Sequence, residues 1–114
     1  MKELTNLFKV LSDETRIRVL ILLYHKKLCV CQMQGVMEES QPKISKHLGK
    51  LRNMGFVKDE REEKFIFYYL DKDNKMLNNL LENILNNIDD YPILKNDLKR
   101  IKNVDCYINE KNKL

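Results

Sequence analysis

The segment "FVKDEREEKFIFYYLD", Phe56 to Asp71, constrains the fold more than any other part of the chain. Apolar residues before and after it recur with a helical period, but inside it Phe, Val, Ile and Tyr fall in two short runs either side of "REEK". Aromatic and β-branched residues suit a pleated strand, so the segment predicts a β-hairpin set among helices. A chain of 114 residues has room for one small domain with a modest core. The expected class is therefore mostly α with a small β-hairpin.

The helices around it follow from spacing and punctuation. In "LTNLFKVL", Leu4, Leu7, Phe8 and Leu11 share a face and predict a short amphipathic helix. Ser12 is the expected N-cap of the second helix, "DETRIRVLILLY", with Asp13 and Glu14 in its first turn, where the helix dipole favours acids. That helix is apolar around much of its circumference, as a central core helix is. Met33, Val36 and Met37 fit a third, short helix. "ESQPKISKHLGKLRNMG" reads as a fourth, capped by Ser40, with Pro42 tolerated in the first turn and Gly55 as terminator. Met76, Leu77, Leu80, Leu81, Ile84, Leu85 and Ile88 stripe a fifth, Pro92 breaks it, and a sixth runs over roughly 93–102. A short helix, a tight turn and a second, basic helix describe a helix-turn-helix, and the hairpin that follows makes it winged. Residues 1–103 are expected to form one DNA-binding and dimerisation domain, and 104–114 a polar tail. The apolar stripe of the fifth helix and the first helix exceed what so small a core can cover, so the terminal helices are expected to pair two copies.

Charge points the same way. The net charge is +4, and the acid-free window from Gln41 to Lys58 carries +5 of it, leaving −1 elsewhere. A basic face confined to one helix is an electrostatic footprint for phosphate. In a helix-turn-helix this second helix lies in the major groove. Gln41 suits adenine, and Ser45 can hydrogen-bond either way. Lys43, Lys46 and Lys50 suit phosphates. His47 falls beside the Ile44/Leu48/Leu51 stripe and reads as half-buried packing rather than base contact. At the hairpin tip Arg61 and Lys64 are candidate DNA contacts, but Asp59, Glu60, Glu62 and Glu63 crowd them. The competing reading is that the hairpin packs Phe65, Phe67 and Tyr69 on the body.

Other classes are disfavoured. No apolar run nears the 18 residues needed to span a bilayer, and the start, "MKELTNLFKV", lacks the pattern of a secretory signal. A cytoplasmic location is expected, where thiols stay reduced, and three cysteines make no disulfide framework. An enzyme is not expected: only three glycines occur, with no phosphate loop and no Ser/His/Asp set.

Taken in order, "LSDETRIRVLILL", "LCVC" and "SQPKISKHLGKLRNMGFV" resemble the ArsR/SmtB family of small winged-helix repressors, closest to its arsenic-responsive branch. The resemblance runs from about Lys2 to Leu70. It implies a homodimer that binds operator DNA without any cofactor and leaves it when a metal ion or metalloid binds. A two-fold dimer in turn implies an inverted-repeat operator. The family's "CVC" motif supplies thiolate ligands, and Cys29 and Cys31 match it. Gln34 stands where one version of the motif has a third cysteine, and no histidine follows His47, so a C-terminal zinc site is not expected.

Thiolates are soft ligands suited to As(III), Sb(III), Cd(II) or Pb(II). A helix start is expected to favour the thiolate. Neighbours at i and i+2 do not share a helix face, so either this segment begins extended or ligand binding unwinds its first turn. Cys106 is the remaining candidate for a third sulfur. The alternatives are a Cd(II)/Pb(II)-responsive repressor, a thiol-redox or persulfide-responsive regulator, and a constitutive DNA-binding protein with no inducer.

Overall fold

The structure is a computed structural model and describes residues 1–103. Its elements are α1 (Lys2–Val10), α2 (Glu14–His25), β1 (Leu28–Cys29), α3 (Val30–Met37), α4 (Gln41–Asn53), β2 (Val57–Glu62), β3 (Phe65–Leu70), α5 (Lys75–Asn86) and α6 (Pro92–Arg100). Short 3-10 turns lie at Ile88–Asp90 and Ile101–Asn103. This is the winged helix-turn-helix expected from the sequence, with one added strand.

The core is built around α2, whose Val19 to Leu23 are all buried. Its N-cap is Asp13 rather than Ser12: the Asp13 carboxylate accepts the Arg16 N–H at 3.0 Å. Ser12 instead closes α1, its hydroxyl donating to the Lys9 carbonyl at 2.7 Å. Ile44, Leu48 and Leu51 of α4 insert into the same core. Ser40 caps α4 by accepting the Lys43 N–H, as expected. At its end Gly55 takes φ 83°, a left-handed conformation that an L side chain resists, and lets Phe56 N–H reach the Leu51 carbonyl.

The hairpin belongs to a three-stranded antiparallel sheet of order β1-β3-β2. Leu28 pairs with Tyr68 and Cys29 with Phe67, so the strand carrying the first thiol continues the wing sheet. The two-residue turn at Glu63–Lys64 has no glycine, and Glu63 itself takes φ 56°. Phe65, Phe67 and Tyr69 are not the body-facing set. Leu70 is buried and Tyr68 packs on the core, whereas Phe65 and Phe67 tilt against each other on the opposite pleat, with the Lys27 ammonium 5.6 Å from the Phe67 ring centre.

The wide stripe of α5 splits between two jobs. Leu77 and Leu81 are buried; Leu80, Ile84, Leu85 and Ile88 line the core's edge; Met76 is 53% exposed. In α1, Leu7 and Val10 are buried while Leu4 and Phe8 face outward. No helix among the described residues is long and apolar enough to cross a membrane.

Candidate nucleic-acid interface and thiol pair

Helix α4 presents one polar face opposite its buried stripe. Gln41, Lys43, Lys46 and Lys50 are exposed and Ser45 is half-buried. The Gln41 amide donates to the Ser45 hydroxyl at 3.2 Å, so these two groups hold each other in the absence of another partner. Lys43 lies 3.3 Å from Glu39, whereas Lys46 and Lys50 have no ion pair among the described residues. His47 is half-buried, its Nε2 3.9 Å from Asp13. Desolvation lowers its pKa, with Asp13 opposing and Arg16, Lys46 and Lys43 reinforcing the shift. It sits where packing was expected.

The wing's acids are mostly engaged by the body. Asp59 pairs with Arg52 of α4 at 3.0 Å, and Lys27 takes Glu60 at 3.0 Å and Glu62 at 2.6 Å. Crowding of Arg61 and Lys64 by acids is thus weaker than the sequence suggests. Arg61 Nε donates to the Glu63 carbonyl across the turn, and the Lys64 ammonium lies 5.9 Å from the Phe65 ring. These two cations stand on the hairpin, separate from the lysine face of α4.

Cys29 and Cys31 flank the start of α3. Cys29 is extended (φ −91°, ψ 169°), is 2% exposed and forms the N-cap; Cys31 is in the first turn and half-buried. The Cys29 sulfur accepts the Gln32 N–H, and the Gln32 side-chain oxygen accepts the Cys29 N–H at 3.0 Å, a reciprocal capping box. The segment therefore begins extended, the first of the two alternatives. The expected stabilisation of the thiolate is overturned at Cys29. Burial pushes its pKa above the ordinary value, outweighing the opposing backbone N–H groups, and the neighbouring Cys31 adds to the rise. Among the described residues no three His, Cys, Asp or Glu side chains come together as a metal site. Cys106 lies outside the described residues.

One constellation went unread in the sequence. Arg18 and Asp97 form a two-pronged ion pair (Nε–Oδ2 2.8 Å, Nη2–Oδ1 2.9 Å) between α2 and α6, and Asp97 is 1% exposed. The available signal was a charged residue, Arg18, inside the otherwise apolar run from Ile17 to Leu23.

A sequence profile described as bacterial regulatory protein, arsR family, matches residues 13–59. The arsenical resistance operon repressor of Escherichia coli K12 is 45% identical over 65 residues, 56% of each chain. The arsenical resistance operon repressor of Staphylococcus aureus is 30% identical over 107 residues, covering 92% of this chain and 97% of that one. Among solved structures, the transcriptional repressor BigR from Xylella fastidiosa superposes with a TM-score of 0.66 at 30% identity, over 73% of this chain and 83% of that one. The matches to the first curated relatives span only about half of those relatives' length.

Proposed function

Because the chain belongs to the arsR family of bacterial regulatory proteins, we propose that it is a homodimeric transcriptional repressor whose operator is released by As(III) or Sb(III) at Cys29 and Cys31. The relatives it matches are repressors, not enzymes. The observation that carries the proposal is the placing of the thiol pair: Cys29 caps α3, the helix packed directly against α4. In this reading Gln41 and Ser45 exchange their mutual hydrogen bond for base edges. Lys43, Lys46 and Lys50 neutralise phosphates, and Arg61 and Lys64 add backbone contacts from the wing. Leu4, Phe8 and Met76 are covered by the second copy, which sets the spacing of an inverted-repeat operator. The repressor acts in the cytoplasm, where both thiols stay reduced.

The donor set fits a soft ion in kind but is incomplete in number. Two thiols stand at one helix start, and the third sulfur a trivalent metalloid favours is assigned to Cys106 or to a small-molecule thiol. Burial disfavours the Cys29 thiolate. When As(OH)3 or Sb(OH)3 is the inducer, each thiol proton leaves with a hydroxide as water while the sulfur bond forms, so ligation proceeds from the protonated thiols without net proton release.

The test is operator release across As(III), Sb(III), Cd(II), Pb(II) and persulfide. Cys29→Ser and Cys31→Ser are expected to bind operator normally and to stay bound with As(III). Cys106→Ser is expected to lose less, and added glutathione to narrow the loss. Release by Cd(II) or Pb(II) alone would reassign the inducer. Release by persulfide alone, abolished in Cys106→Ser, would make the signal a redox one. Normal As(III) release in the Cys29 and Cys31 variants would refute the thiol site.

A further inference from the structure

A helix leaves its last carbonyls without partners inside the helix, and side chains, water or a tightened last turn take them. At the end of α3, two arginines from other elements do so. Arg18 of α2 donates to the Met37 carbonyl at 3.0 Å, and Arg100 of α6 donates to the Val36 carbonyl at 3.2 Å. The same two guanidinium groups reach the acids of the turn, Arg18 to Glu39 at 3.6 Å and Arg100 to Glu38 at 3.4 Å. Asp97 of α6 fixes Arg18 through both its prongs. Glu38, the C-cap between these contacts, takes φ 55°, a left-handed conformation uncommon for residues other than glycine. Gln41, the first residue of α4, follows three residues later.

We propose that Arg18, Asp97 and Arg100 are positioning residues for DNA binding, a latch through which the seating of α6 sets the turn between α3 and α4. None of the three lies on the lysine face of α4. Their effect on DNA passes through the backbone of Glu38 to Ser40, which aims the N-terminal end of α4. The inference rests on the operator-binding reading, but its first measurement needs no DNA.

The experiment uses the full chain, and the duplex it prefers is recovered by selection from random double-stranded DNA. Two variants are compared with wild type: Arg100→Met, at a partly exposed site that does not threaten folding, and Asp97→Asn. Amide hydrogen exchange is read at Glu38, Glu39, Ser40 and Gln41 against the amides of α2. Each variant is expected to speed exchange at the turn by about tenfold relative to α2, the equivalent of losing one hydrogen bond to a charged group. Each is also expected to lower affinity for the selected duplex by about tenfold while leaving the slope of affinity against salt at the wild-type value, since no phosphate contact is removed. Arg100→Lys, which keeps a charge beside Glu38, should recover part of that affinity. Unchanged exchange at the turn in folded Arg100→Met overturns the latch. So does a reduced salt slope, which would make these residues phosphate contacts. If the wild type enriches no duplex, the operator reading fails, and the exchange result still decides the latch.

Discussion

Removing the Asp97 carboxylate tests how much of the fold depends on one buried ion pair. In Asp97→Ala the Arg18 guanidinium loses two hydrogen bonds of 2.8 and 2.9 Å at a site where its side chain is only 12% exposed. Breaking a buried pair by deleting one partner typically costs about 3–5 kcal/mol, because the surviving charge is left without compensation. Here Arg18 keeps the Met37 carbonyl and stays 3.6 Å from Glu39, so the low end, about 3 kcal/mol, is expected. That is a large part of the roughly 5–15 kcal/mol that holds a domain folded. Urea unfolding at fixed protomer concentration measures it, with a shifted midpoint and an unchanged m value. Arg18→Met combined with Asp97→Leu removes both charges and should regain part of the loss. A cost below about 1 kcal/mol in the single variant would put this pair among ordinary surface ion pairs and refute the reasoning.

Lys46→Ala and Lys43→Ala should each flatten the salt dependence of DNA binding by about one unit, and titrations of affinity against salt read this directly. Wild-type slopes would remove α4 as the DNA face. Gly55→Ala should cost about 1–2 kcal/mol by thermal unfolding even though a Cβ there meets nothing within 4 Å, because the cost lies in φ 83° alone. Acid should expose His47: its folded pKa is depressed by burial, so the unfolded chain binds the proton first, and the stability it contributes is present above about pH 6.5 and lost as pH falls through the folded value. His47→Gln should remove that part of the stability–pH slope, and an unchanged slope would mean that the ring is solvated in the folded state.

The parts of the fold legible in the sequence were those with redundant signals. Helix α4 had a cap, a proline in its first turn, a clean apolar stripe and a terminal glycine, and all four serve the roles assigned to them. Where two residue types offered the same chemistry, the choice went astray: Ser12 and Asp13 are both good N-caps, and the chain's path out of α1 uses Ser12 to close that helix. "FIFYYL" carries apolar or aromatic side chains on both pleats, so its sequence holds no face information. Packing of Tyr68 and Leu70 on the core and pairing with β1 decide the register. A two-residue strand such as Leu28–Cys29 is too short to show a period at all. The Arg18–Asp97 pair joins residues 79 apart, and no local pattern predicts the partner of a charge at that separation.

The extended backbone at Cys29 also changes where the proposed switch stores its leverage. Cys29 already stands outside α3 in extended backbone, so its own approach to an ion unwinds no helical turn. What its sulfur gives up on ligation is the Gln32 N–H, a cap through a weak sulfur acceptor and so worth no more than about 1 kcal/mol, together with its buried place opposite Phe67. Only the part of this cost that differs between the DNA-bound and free forms moves the equilibrium, and the operator must weaken inducer binding by the same factor. Turning a repressor from almost fully bound to almost fully released takes a difference of roughly 5.5 kcal/mol. Two such N-caps in the proposed dimer supply at most about 2 kcal/mol, well short of that. The remainder has to come from structure that the caps anchor: α3 against α4 on one side, and β1 in the wing sheet on the other. Cys29 stands at the join of the two, as the last residue of β1 and the N-cap of α3.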